Sequence, residues 1–288
     1  MAADPDPIEI VSADADPGEI ISAGVLPVGA DPARGAPPGG VPAGGEPASV
    51  APVDVEPGQV VRVLREVGGL GAYFEIRTDP AEEADPTWRP FPETDGDRLL
   101  ELTGLYAERL GTTERRVAAS ILFQGLASRL WSPVIAAAAR GIVPDLSGLH
   151  WRWAPGAPVA LWLAGPSGWA AGDARTAARL VHRVVVTEQL APLRETMLGF
   201  VGLADGLVWG NAASALAGGL NVGPPDPARE ALVRELLLLE PLAGTGSFGA
   251  RGFVRRSCCL YYRVPPGGEL CGDCALLAPG PSGVPPRR

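Results

Sequence analysis

Arg255-Arg256-Ser257-Cys258-Cys259-Leu260-Tyr261-Tyr262-Arg263-Val264-Pro265, followed by Cys271-Gly272-Asp273-Cys274, holds all four cysteines of this 288-residue chain. Thiols gathered into so short a stretch point to a metal site, because four thiolates are the ligand set of an iron–sulfur cluster or of a structural zinc. Disulfides fit less well. Vicinal cysteines cannot close a relaxed bridge with each other, and two pairs this close together would staple only a short hairpin. The opening residues Met1-Ala2-Ala3-Asp4 lack the basic and apolar regions of a secretory leader, so reduced thiols are expected.

Spacing alone does not choose the metal. Zinc ribbons use two knuckles, each with a spacer that turns both sulfurs toward one ion. Adjacent Cys258 and Cys259 on extended backbone would instead point to opposite faces, so this pair needs a bend. Tetrahedral sulfur coordination suits zinc and iron–sulfur alike, and the two stay level at this point.

The cysteine segment resembles the C-terminal signature of the ferric-siderophore reductase (FhuF-like) family. Two upstream stretches are similar to the same family: Gln124-Gly125-Leu126-Ala127-Ser128-Arg129-Leu130-Trp131-Ser132-Pro133 and Leu207-Val208-Trp209-Gly210-Asn211-Ala212-Ala213-Ser214-Ala215-Leu216. The resemblance implies a [2Fe-2S] cluster held by Cys258, Cys259, Cys271 and Cys274. It also implies a ferric-chelate reductase: one electron passes to ferric siderophore iron, and the ferrous product is released in the cytoplasm. One departure stands out, since the family usually has ten residues between the vicinal pair and Cys-x-x-Cys and this chain has eleven. The turn-rich run Pro265-Pro266-Gly267-Gly268-Glu269 absorbs an extra residue with little strain.

Charge and composition bound the rest. The formal charge is −9, and residues 1–58 hold ten carboxylates against Arg34 alone, which accounts for all of it. The remainder is electroneutral, which argues against nucleic-acid binding, where a basic surface supplies most of the affinity. Residues 1–58 also contain eleven prolines, nine glycines and no aromatic residue, so they are expected to form a disordered acidic tail. Three units follow from this: the tail over 1–58, a mainly helical domain over 59–243, and a cluster-binding segment over 244–288. No uninterrupted apolar run reaches the ~18 residues of a membrane span, so a cytoplasmic protein without a transmembrane segment is expected, with loose peripheral membrane attachment left open.

The pattern along the domain predicts an α+β fold that is mostly α-helical, with a small β-hairpin. Helices are predicted over Asp97–Leu110, over Glu114–Leu130 with a continuation opened by Pro133, from Asp173 to about Leu190, from Pro192, and over Ala228–Leu239 after the Asp226 cap. A hairpin is predicted across His150-Trp151-Arg152-Trp153 and Val159-Ala160-Leu161-Trp162-Leu163, with its turn at Pro155-Gly156, and a second small one around Leu260–Val264. Gly244-Thr245-Gly246-Ser247-Phe248-Gly249 matches the dinucleotide fingerprint, but a helix precedes it and the cysteines follow it, so a flexible connector is expected instead.

No site for bound flavin or nicotinamide is expected, and the electrons should come from an external donor such as a ferredoxin or a flavoprotein. His150 and His182 have no ligand spacing to pair them. Tryptophans most often fill a core, yet Trp131 and Trp209 each sit beside a polar neighbour, Arg129 and Asn211, within the family-like stretches. With Arg256 and Arg263 near the cysteines, these residues would suit a bulky anionic chelate. Two other readings are a structural zinc module and an electron carrier that docks on a partner protein.

Overall fold

The computed structural model describes residues 52–154, 157–249 and 252–277. The acidic tail as far as residue 51 and the turn at 155–156 lie outside these. Residues 53–58 belong to the fold, so the boundary at 58 moves toward the N-terminus. Val55 N–H donates to Gly168 O at 3.1 Å, and Ala170 N–H donates to Val53 O at 2.8 Å. Helix α1 (Pro57–Gly68) then begins with proline in its first turn, where a missing N–H costs nothing.

The fold is α+β and mostly helical. Helix α2 (Gly96–Arg109) is capped by Asp95, whose carboxylate accepts from Asp97 N and Arg98 N. Helix α3 (Arg115–Ala138) forms the central axis and packs against α1 and α2. It was expected to break near Pro133; instead one helix runs through that proline, its residues from Leu130 to Ala138 all buried. By length and composition α3 could cross a membrane, but 83% of its apolar window is covered by the protein itself.

Short strands follow. Strand β1 (Arg89–Pro90), β3 (Leu149–Arg152) and β4 (Ala160–Leu163) make an antiparallel sheet in the order β1-β3-β4, with Trp151 opposite Leu161. This is the hairpin expected from the sequence. Strand β2 (Ile142–Pro144) pairs with β5 (Gly168–Ala170).

Helix α4 (Ala174–Val181) starts at its Asp173 cap and continues as a π-helical run, His182–Leu190, before α5 (Ala191–Leu198). Helix α6 (Asp205–Gly218) was missing from the sequence reading, although it is the main partner of α3. Its run of Gly210, Ala212, Ala213, Ser214, Ala215 and Ala217 is buried on nearly every side, and small side chains let the two backbones approach closely. Helix α7 (Pro227–Leu236) is capped by Asp226. The glycine-rich connector is in fact strand β6 (Gly246–Gly249), paired with β7 (Gly252–Arg255). The hairpin of this region therefore precedes the cysteines, and Leu260–Val264 holds a left-handed residue, Leu260 at φ 70°, and a 3-10 turn.

Arg129 ties this frame together. It is 3% exposed, and its guanidinium donates to the carbonyls of Val159 (2.6 Å), Glu75 (2.9 Å) and Tyr73. Burial pushes its pKa down to about 10, still high enough to keep the charge near neutral pH. Arg129→Met would leave three carbonyls without their donor. It should lower the unfolding free energy by about 3 kcal/mol. Urea titration checks this, and the visible spectrum of the folded fraction should stay that of the wild type.

Candidate metal centre

Strand β7 delivers the chain to the cysteines, and its last residue, Arg255, turns inward. The guanidinium is fully enclosed, with 0% of its side chain exposed. Its Nε donates to Asp273 Oδ2 and its Nη2 to Asp273 Oδ1, both at 2.9 Å, so one carboxylate takes two parallel hydrogen bonds. Nη1 donates to Asn211 Oδ1 at 2.7 Å, and Nη2 also donates to Ser214 Oγ.

From Asn211 the network runs into α3. Asn211 Nδ2 donates to Ser120 O and Ser120 Oγ, each at 2.9 Å, and Ser120 Oγ donates to the carbonyl of Cys259 at 2.7 Å. The path therefore closes on the cysteine segment from which it set out. Asn211 and Ser120 are both 0% exposed, so this is an interior network with its polar groups satisfied.

The cysteine segment folds around this anchor. Arg255 N–H donates to Asp273 O at 3.1 Å, and Cys274 N–H donates to Cys271 O at 3.1 Å, which closes the turn of Cys-x-x-Cys. Leu260 in its left-handed conformation supplies the bend that vicinal cysteines require, and its N–H points at Cys258 Sγ, 3.3 Å away. Leu260, Tyr261 and Val264 pack on Leu110, Val117 and Ile121 at the end of α2 and the start of α3. Arg263 pairs with Glu114 at 2.9 Å on the surface.

All four cysteines are free thiols. Cys259, Cys271 and Cys274 form a buried cluster with Tyr261 against it, and Cys258 is the more open member. The Sγ atoms of Cys259 and Cys271 lie 3.5 Å apart, too far for a disulfide, and their contact joins the vicinal half to the Cys-x-x-Cys half. That contact holds the Cys259 thiol well below the usual range and, together with burial, pushes Cys271 up. Burial pushes Cys258 up. Burial also works against the charge of Arg255, but Asp273 and the sulfurs of Cys259 and Cys271 outweigh it and keep the guanidinium protonated.

These residues suit a [2Fe-2S] cluster. The donors are soft sulfurs, an amide already points at one of them, and a buried positive charge faces a ligand set that becomes anionic when deprotonated. Ser257 Oγ is buried without a hydrogen-bond partner next to the vicinal pair, a donor in want of an acceptor. Among the described residues, no three His, Cys, Asp or Glu side chains are drawn together as ligands of one ion.

Residues 255–276 match the family model of the FhuF 2Fe-2S C-terminal domain. This cysteine segment is similar to the FhuF 2Fe-2S domain. The match opens on Arg255 itself, closes just after Cys274, and supports membership of the FhuF-like family. No curated protein and no solved structure matches the chain.

The residues considered for substrate binding from the sequence separate into two groups. Arg129 and Trp131 lie inside the frame, at 3% and 0% exposure, and Asn211 is occupied by Ser120 and Arg255. Trp209 is partly buried, and Arg256 and Arg263 are exposed on the cysteine segment itself. Arg255 stood at the head of the quoted cysteine stretch, with no role assigned to it from the sequence. Its place on strand β7, where exposed Gly252 and buried Phe253 begin an alternation that ends on buried Arg255, is the signal that separates an inward side chain from exposed Arg256 just beyond the strand. Ser120 stands 139 residues from its partner Cys259, and no local pattern announces that contact.

Gly210 shows how tightly the cysteine segment sits on α6. A Cβ at this position would stand 2.1 Å from Ser257 Oγ and 3.5 Å from Ser257 Cβ. Gly210→Ala should therefore loosen the segment at a cost of about 1–3 kcal/mol and speed iron loss to a chelator. Adding Ser257→Ala removes the clashing oxygen and should restore much of the wild-type iron retention, a coupling that a double-mutant cycle measures.

Proposed function

We propose that this protein is a ferric-siderophore reductase. It would pass single electrons from a separate donor, a ferredoxin or a flavoprotein, to ferric siderophore iron in the cytoplasm. The match to a 2Fe-2S domain over four free cysteines gathered beside a buried guanidinium carries this reading. A bound [2Fe-2S] cluster supplies a one-electron redox centre whose potential depends on net charge, hydrogen bonds to sulfur and solvent exposure.

The protein's own residues divide the remaining work. Cys258, Cys259, Cys271 and Cys274 hold the cofactor within the segment 244–288, and the Leu260 N–H orients Cys258. The preceding helical body, residues 53–243, provides the frame and, with exposed Arg256, Arg263 and partly buried Trp209, the surface for a bulky anionic chelate. The ferric iron of that substrate gains one electron and the donor loses one. Hard oxygen ligands grip ferrous iron less firmly than ferric, so reduction releases the metal.

Two measurements test the reading. Protein purified without oxygen should show visible absorption that bleaches with dithionite, and the reduced protein should be reoxidised by at least one ferric siderophore, with ferrous iron captured by a ferrous-specific chelator. A colourless protein containing zinc would favour a structural zinc module, and reduced protein that no ferric siderophore reoxidises would favour a carrier. Each of Cys258→Ser, Cys259→Ser, Cys271→Ser and Cys274→Ser should abolish or distort the absorption. An unaltered spectrum in any one of them removes that residue from the ligand set.

A further inference from the structure

A centre that gains an electron is sensitive to the fixed charges around it, most of all to charges that water cannot screen. Two such charges stand beside the cysteines. The Arg255 side chain is 0% exposed, and that of Asp273, the residue between Gly272 and Cys274, is 13% exposed. Exposed arginines occur nearby as well, at Arg256 and Arg263, but solvent screens them.

The pair is costly as a pure stabilising device. Desolvating two charges offsets most of their attraction, and apolar side chains of similar volume often serve a fold equally well. What the geometry does provide is a charge that cannot move. Two bonds to Asp273, one to Asn211 and one to Ser214 fix the guanidinium, and Asn211 is itself held by Ser120, whose hydroxyl reaches the Cys259 carbonyl. The guanidinium is thereby tied to both halves of the cysteine motif at once.

We infer that the Arg255–Asp273 pair sets the reduction potential of the cluster: Arg255 is the fixed counter-charge that favours the reduced state, and Asp273 is the opposing charge that limits it. The inference rests on the [2Fe-2S] reading above. Both residues are positioning residues, and neither takes part in the transfer itself. Only an electron is gained, supplied by the external donor and given up to the ferric chelate. An intact pair keeps the potential between two extremes: neutralising Asp273 exposes the full positive charge, and neutralising Arg255 leaves a carboxylate alone beside the thiolates.

Midpoint potentials of the full-length holoprotein, taken at low and at high ionic strength, test this. Asp273→Asn keeps an acceptor for the guanidinium and should raise the potential, by an amount that high salt leaves in place. Arg255→Met should lower it, and Arg255→Lys should lower it less. Arg256→Gln serves as the screened comparison, with a small shift that fades as salt rises. An Asp273→Asn holoprotein with a wild-type absorption spectrum and an unchanged or lower potential overturns the inference. Should that variant lose its cluster, the two Arg255 variants decide. Equal potentials in the Lys and Met proteins overturn it, as does loss of the cluster from all three. Wild-type protein without iron–sulfur absorption would instead overturn the functional reading on which the inference rests.

Discussion

A single buried guanidinium joins the two parts of this molecule. Arg255 leaves a β-strand, turns into the interior, and there meets a carboxylate from the Cys-x-x-Cys turn and an amide and a hydroxyl from α6. Left without these partners, a charge at that depth would cost several kcal/mol, so the positions of strand, turn and helix are mutually dependent. The cysteine segment has little apolar core of its own beyond its sulfurs and Tyr261. It takes its shape from the frame on which it is mounted.

That dependence explains the character of the helical body. Ser120 on α3 and Asn211 on α6 can meet only if the two helices pack closely, and the small residues along α6 allow it. Gly210 applies the same requirement one step further out, where any Cβ would strike Ser257. Arg129 performs a comparable task on a different face, collecting the carbonyls of the 73–75 turn and of the segment leading into β4. The two family-like stretches noted in the sequence thus supply mainly interior connections, and the exposed arginines considered for a chelate, Arg256 and Arg263, lie on the cysteine segment itself.

Much of this was legible in the sequence wherever the governing physics is local. Asp173 and Asp226 cap the helices that follow them, and alternation in His150–Leu163 marks a hairpin. The four cysteines announce themselves through chemistry and spacing. Elsewhere the controlling contacts are distant in sequence. Helix α6 is apolar nearly all round because it is enclosed, so it lacks the one-sided periodicity that reveals a surface helix. Pro133 reads as a break, yet packing on every side carries α3 through it. Arg129 and Asn211 resemble ligand-binding residues because a buried polar side chain and a substrate-facing one draw on the same residue types, and only the fold assigns their partners.

Amide hydrogen exchange in an Asn211→Ala protein, compared with wild type, probes the anchoring of the cysteine segment directly. With the Asn211 link to Arg255 and Ser120 removed, protection should fall across residues 252–276, most clearly at the Arg255 and Cys274 amides, while strands β3 and β4 keep theirs. Unchanged protection across 252–276 would contradict the role given to the buried guanidinium network.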